Sequence, residues 1–157
     1  MEKQALITAM KTSISEVLET MFFLPLEYAS NTDPERCWSL EEDEILASKL
    51  NFSGPFSGHF VFLIPASLAL SLSASFLGCD EELVTRDHVI ETVKEIINMI
   101  AGSTFGNYDN SRVFNLDIPK IVSLGEFEEH GSDAGEVIFI AINTLENHLA
   151  LRMVMTG

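Results

Sequence analysis

The sequence predicts an α+β domain in which long helices cover a mostly antiparallel sheet. Two long segments repeat apolar residues at helical spacing, over residues 3–23 and from about residue 87 to residue 102. Four β-prone segments form two pairs, each joined by a turn sequence, which is typical of hairpins. Since the chain has 157 residues, of which 46% are hydrophobic, we expect a single domain spanning residues 1–157.

The first half of the chain is predicted to contain a helix, a hairpin and a second helix. Residues 3–23 form the first helix, which Pro25 ends, and its apolar positions are Leu6, Met10, Ile14, Val17, Leu18 and Met21. Residues 31–44 are acidic and contain Pro34, so we expect a surface connection there. The two strands, their turn and the second helix are predicted at residues 45–52, 58–64, 53–55 and 65–77.

The second half is predicted to follow the same plan. An acidic entry at residues 80–87 leads into a long amphipathic helix that ends near Gly102, since glycine commonly terminates helices. After a loop at residues 106–111, short strands are expected at 113–116 and 120–124, and a final hairpin at 136–142 and 148–155.

The two halves also resemble each other. Each begins with a long helix and later has a glycine, Gly58 or Gly135, directly before a strongly β-prone run. This pattern suggests an internal duplication with half-repeats at about residues 1–78 and 79–157.

Charge and composition exclude several classes of partner. The formal net charge of −15 argues against DNA, RNA and anionic membranes, all of which require a basic surface. Neither a signal peptide nor an apolar run long enough to cross a bilayer is visible, so we expect a cytoplasmic protein.

No metal or redox site is predicted. The two cysteines lack paired spacing and are expected to be reduced structural thiols, and the histidines are scattered and expected to be structural or surface residues; they are Cys37, Cys79, His59, His88, His130 and His148. An acidic cluster lacks the alternating ligands of a calcium loop and is interpreted as a solvated loop; it comprises Glu126, Glu128, Glu129 and Asp133.

The most informative feature is a polar stripe on the second long helix. With Val89, Val93, Ile96, Ile97 and Ile100 on the buried face, Glu91, Glu95 and Asn98 fall within about 60° of one another on the opposite side. We call these three residues the α3 stripe, where α3 is the long helix predicted to end near Gly102. Ser15, Glu19 and Phe22 have the same spacing in the first helix and are predicted to point away from most of its apolar face. Taken alone, such a stripe is usually a solvated surface.

The segment from Glu91 to Gly102 resembles the signature helix of the CheC/CheX/FliY phosphatases. In that family an acid or serine precedes Glu-x-x-Asn, and a proline, here Pro119, follows further along the chain. The first helix also looks like the opening helix of CheX-type chains, with Ser15, Glu19 and Phe22 resembling a decayed second copy of the motif. The resemblance covers nearly the whole chain.

Two departures accompany the resemblance. Glu91 stands where the family usually has Asp or Ser, and the gap from Asn98 to Pro119 is slightly short.

The resemblance implies a CheC-like pseudo-duplicated fold and a phosphatase acting on the aspartyl phosphate of a CheY-like response regulator, in chemotaxis or another two-component pathway. Glu95 and Asn98 are then the catalytic pair, and Glu91 is a rim contact with the partner. Mg²⁺ would come from the response regulator, so no cofactor of its own is expected. A homodimer is also implied, with residues 149–155 as an edge for strand exchange.

Two other functions remain open at this point. The same helix would serve a non-catalytic module that only binds response regulators, and the departure at Glu91 leaves room for that function. A third alternative is an assembly protein that uses its β-rich C-terminus for self-association.

Overall fold

The computed structural model describes residues 3–29, 44–124 and 135–156. Its helices are α1 (Lys3–Ser15), α2 (Ala66–Leu77) and α3 (Arg86–Tyr108), with a π-helical turn at Glu16–Met21 and a 3₁₀ turn at Glu81–Leu83. Its strands are β1 (Glu27–Tyr28), β2 (Ile45–Ser53), β3 (Ser57–Pro65), β4 (Asn115–Leu116), β5 (Lys120–Val122), β6 (Glu136–Asn143) and β7 (His148–Thr156). The predictions for the connection from residue 31 onward, Cys37, His130 and the acidic cluster at residues 126–133 concern residues outside those described.

The seven strands form one antiparallel sheet in the order β1-β6-β7-β3-β2-β4, with β5 also paired to β2. The predicted hairpins are confirmed as β2–β3 and β6–β7, and they meet at the centre of the sheet through the β3–β7 pair. The predicted α+β class with a mostly antiparallel sheet is therefore correct.

Each hairpin is flanked by a short strand from the other half of the chain. β1 pairs with β6, while β4 and β5 pair with β2. A duplicated chain would produce this symmetric exchange, and the half-repeats at about residues 1–78 and 79–157 stay a prediction.

The main core lies between one face of the sheet and the helices. Large side chains from every layer are completely buried there, among them Leu6, Met10, Ile14, Phe60, Phe62, Ile96, Ile97 and Ile100. α1 and α3 pack side by side, and Asn107 donates to the buried Ser13 at 3.1 Å. Directly after α1, in the π-helical turn, Glu16 accepts a hydrogen bond from Ser103 at 2.8 Å. Because residue numbers rise along one helix as they fall along the other, α1 and α3 are antiparallel.

The prediction that the long helix ends near Gly102 is wrong, since α3 continues to Tyr108. Phe105 explains the difference: its buried ring stacks on Phe114 at 4.0 Å and packs against Phe52 at 4.8 Å between centroids. This packing outweighs the poor helix propensity of glycine, which costs about 1 kcal/mol relative to alanine.

The prediction that residues 149–155 form an edge is also wrong. β7 has β6 on one side and β3 on the other, and its residues from Leu149 to Met155 are buried. Since its backbone groups pair with both neighbours, this strand is not free for exchange. The homodimer itself stays a prediction.

Gly58 is required by the contact between β3 and β7. A Cβ at this position would lie 1.9 Å from the backbone carbonyl oxygen of Val154, which cannot move without disturbing the sheet. We expect Gly58→Ala to destabilise the fold by at least about 3 kcal/mol or to prevent folding, measured by urea unfolding. Gly106→Ala is the matched control, because no atom lies within 4 Å of its added Cβ, and should be neutral or stabilising by up to about 1 kcal/mol. Equal stability of the two variants would contradict this packing.

Candidate functional site on helix α3

A capping box sets the start of α3. The Thr85 hydroxyl accepts a hydrogen bond from the His88 backbone N–H at 3.2 Å, and His88 Nδ1 accepts one from the Thr85 N–H at 3.2 Å. The prediction that His88 lies at the surface is confirmed. The role of Thr85 was missed, although the sequence carries a signal for it: a threonine stands three residues before a side chain that can accept a hydrogen bond. The predicted acidic entry contributes only Asp87 to the first turn of the helix.

Removing this cap should loosen the start of the helix. We expect Thr85→Ala to lower the free energy of unfolding by about 1 kcal/mol, and Thr85→Ser, which keeps the hydroxyl, to lower it much less. Thermal unfolding monitored by circular dichroism measures both variants. If both variants lose the same free energy of unfolding, the Thr85 hydroxyl does not stabilise the start of the helix.

The rotation of α3 about its axis is determined by its apolar side. The predicted buried face is confirmed by Val89, Val93, Ile96, Ile97 and Ile100, all buried in the main core. Opposite this face, Glu91 and Glu95 are exposed and Asn98 is half-buried. The helix therefore holds the α3 stripe outward with little freedom to rotate.

The side chains of the α3 stripe are available to a partner. Glu91 makes a long ion pair with Lys94, at 3.6 Å, while its own side chain stays 73% exposed. Within the described part of the chain, neither Glu95 nor Asn98 has a side-chain hydrogen bond or ion pair. The carboxylate of Glu95 and the amide of Asn98 are thus not committed to holding the fold together.

The corresponding stripe of the first helix is not open in the same way. The Ser15 hydroxyl is 2.7 Å from the Tyr28 hydroxyl, which also donates to the Lys11 carbonyl. Burial raises the pKa of Tyr28, and the nearby Glu19 carboxylate raises it further although the bond with Ser15 lowers it, so the phenol stays protonated at neutral pH.

The predicted outward direction of Phe22 is wrong. Phe22 lies one turn after the buried Leu18, is itself buried, and stacks on Phe76 at 5.5 Å between ring centroids. Of the three residues, only Glu19 is exposed, while Ser15 is half-buried. Of the two corresponding stripes, only the one on α3 keeps its acidic and amide side chains open to a partner.

The α3 stripe lies on the solvent-facing side of its helix. A cavity of about 490 Å³ lies elsewhere, against Pro55, Phe56, Arg112 and the end of β7. Among the described residues no three His, Cys, Asp or Glu side chains are close enough together to hold a metal ion. Cys79 is a free thiol, and none of the helices within the same residues has the length and apolar composition of a membrane span.

Comparison with known proteins extends the resemblance. A family model for "Chemotaxis phosphatase CheX" matches residues 46–143, more than half of the chain, and includes the α3 stripe. The chain has no match among curated proteins.

Solved structures share the fold over nearly the full chain. A CheC-like superfamily protein from Shewanella sp. PV-4 is 20% identical, with a TM-score of 0.74 and 100% of both chains covered. The chemotaxis protein CheX from Vibrio vulnificus is 18% identical, with a TM-score of 0.73 over 96% of this chain and 95% of the other. A chain of the CheX–CheY–BeF3–Mg complex from Borrelia burgdorferi is 16% identical, with a TM-score of 0.71 over 97% and 98%. At these identities the likeness shows the fold, and the family follows from the sequence match: this chain belongs to the CheX family of chemotaxis phosphatases.

Proposed function

We propose that this chain hydrolyses the aspartyl phosphate of a CheY-like response regulator, using Glu95 and Asn98 on the outer face of α3. The observation that carries the proposal is the pair itself: both side chains point outward from a helix whose opposite face is buried, and neither has a partner in the described part of the chain. Membership of the CheX family supports it.

The exposure of the site on the outer side of a helix favours a macromolecular substrate. A small molecule needs a concave site that removes most of its surface from water. An exposed ridge can instead enter a cleft on a partner, and the partner then supplies the enclosure. A phosphorylated receiver domain fits this requirement, and support comes from the Borrelia burgdorferi relative, which was crystallised in complex with CheY, BeF3 and Mg.

Asn98 is the residue that we assign to the attacking water. An aspartyl phosphate is an acyl phosphate, so hydrolysis requires mainly a water placed in line with the leaving carboxylate. The amide of Asn98 has both a donor and an acceptor and can orient a water. Because the amide is neutral, it adds no repulsion against the phosphoryl oxygens.

Glu95 lies one turn before Asn98 and is assigned to docking. Its carboxylate would pair with the cationic lysine beside the phosphorylation site of the regulator, which holds the two active surfaces in register. Glu91, one further turn back and paired only loosely with Lys94, is assigned to the rim of the contact. Mg²⁺ would come with the response regulator, and this chain needs no cofactor of its own.

A second function has one observation in its favour. Glu91 occupies a position where the family usually has Asp or Ser, which is compatible with a module that docks on a receiver domain without hydrolysing its phosphate. The two functions differ in one property, because a phosphatase accelerates phosphoryl loss and a binder leaves it unchanged or slows it. The homodimer implied by the family resemblance and the cytoplasmic location expected from the sequence are compatible with either proposal.

The proposal is tested by mixing the chain with each receiver domain of the same genome, phosphorylated with a small phosphodonor. The amount of phosphorylated receiver is followed with time, with and without an equal concentration of the chain. We expect faster decay for at least one receiver. Unchanged decay for all of them, with binding to one, would favour the non-catalytic module.

A further inference from the structure

An exposed apolar patch lies where the end of the π-helical turn at Glu16–Met21 meets the end of α2. It consists of Met21 (48% exposed), Phe23 (83%), Phe76 (52%) and Leu77 (47%), and we call it the aromatic patch. The stacking of the buried Phe22 on Phe76 joins the two helix ends. Single exposed apolar residues are ordinary on protein surfaces, whereas a group drawn together from two elements indicates an interaction surface.

Contacts of α2 and of the π-helical turn place this patch on one flank of α3. Thr92 and Ser103 lie within about 20° of each other on one flank of α3, at roughly 100° per residue. On that flank Thr92 is 2.9 Å from Ser73 of α2, and Ser103 donates to Glu16 at the start of the π-helical turn.

The aromatic patch therefore adjoins the α3 stripe. Phe76 lies one turn beyond Ser73, and Met21 ends the π-helical turn that begins at Glu16. Thr92 is itself only about 60° around the helix from Glu95.

Phe23 is costly to the fold in two ways. Its backbone φ of 55° is in the left-handed region. Residues with a Cβ rarely adopt this conformation, which is typical of glycine directly after a helix. The Leu24 N–H donates to the Leu18 carbonyl at 2.9 Å, which closes the helix end around this conformation. The ring of Phe23 gains little burial in return. A strained, exposed aromatic residue next to a candidate site indicates a role outside the fold.

We propose that the aromatic patch is a second contact surface for the phosphorylated response regulator, with Phe23 as its anchor. The inference rests on the proposed function of α3 and adds to it a partner surface with apolar residues beside the cationic phosphorylation site. A second copy of this chain fits less well, because the net charge of −15 and the neighbouring carboxylates of Glu91 and Glu95 would repel each other across such an interface.

The experiment compares wild type with Phe23→Gly, which removes the ring and relieves the backbone. Binding to a receiver domain activated with beryllofluoride and Mg²⁺, and kinetics on the phosphorylated receiver, are measured for both. We expect the dissociation constant and KM to rise about tenfold, with kcat at saturation within about twofold of wild type. The thermal midpoint should be unchanged or higher, a combination that a structural role for Phe23 would not produce.

Val113→Ala is the matched control. Val113 is also strongly exposed but follows the far end of α3, near Asp109 and Arg112. The Val113→Ala variant should bind the activated receiver domain and dephosphorylate the phosphorylated receiver like wild type.

The outcomes separate this inference from the function on which it rests. If wild type accelerates decay and Phe23→Gly has the same KM, the aromatic patch is not a contact and the function stands. If wild type accelerates nothing and binds no receiver, both fail. Sedimentation velocity completes the test, since a wild-type dimer that Phe23→Gly converts to a monomer would assign the patch to self-association and overturn the inference.

Discussion

Glu95→Lys is expected to lose at least about a hundredfold in kcat/KM on a phosphorylated response regulator. The substitution places a cation against the lysine beside the phosphorylation site, where the proposed complex has an ion pair. Fold stability should stay within about 0.5 kcal/mol of wild type, because Glu95 is exposed and has no partner in the described part of the chain. The loss should appear in KM and in the dissociation constant, both measured with a receiver domain that the chain dephosphorylates.

Glu91→Gln is the control for this prediction. It removes a carboxylate one turn away on the same stripe, at a side chain that is 73% exposed. Rim charges contribute mainly to the association rate, so we expect at most about a threefold change that disappears at high salt. Glu95→Gln is the variant that matches this control in chemistry. If Glu91→Gln and Glu95→Gln lose equal amounts of kcat/KM, the stripe acts as a diffuse negative surface and Glu95 has no specific partner.

Asn98→Ala is expected to lower kcat about a hundredfold while the dissociation constant changes by less than about threefold. Without the amide, the water near the phosphorus is no longer held in line. The free energy of unfolding should be equal or slightly higher, by up to about 0.7 kcal/mol, because alanine is the better helix former.

A second variant tests whether the neutral amide itself is required or only a polar side chain of the same size. Asn98→Asp keeps the size and one oxygen but adds negative charge near the phosphoryl group, and should be as slow as Asn98→Ala. Full activity in Asn98→Ala would show that the water is positioned by another residue, even with the family assignment intact.

The parts of the fold that the sequence predicts well are those with local causes. The hairpins follow from β-prone runs on both sides of short turns, and the direction of the α3 stripe follows from the spacing of five apolar residues. Each of these signals lies within about ten to twenty consecutive residues.

The errors involve contacts between distant parts of the chain. Gly102 reads locally as a helix end, but the stack of Phe105 on Phe114 extends the helix beyond it. From the sequence, residues 149–155 could form a strand at the edge of the sheet. In the structure they pair with β3, which lies about ninety residues earlier in the chain. Phe22 was predicted to point outward because the residues near it in the sequence give no sign of its contact with Phe76.

The candidate site was found from the sequence, but its surroundings were not. Glu91, Glu95 and Asn98 were identified from helical spacing and a family resemblance, and their roles stay a proposal. The aromatic patch was missed because its members come from two helix ends that are more than fifty residues apart. Only the packing of the π-helical turn and of α2 on the same flank of α3 brings them together.

The most direct test of the central claim is a time course of phosphoryl loss from the partner receiver domain with the chain at one-twentieth of the receiver concentration. A phosphatase releases each product and acts again, so nearly all of the receiver should lose its phosphate much faster than the receiver alone. Decay at the receiver's own rate, or accelerated loss limited to one-twentieth of the receiver, would contradict the catalytic assignment.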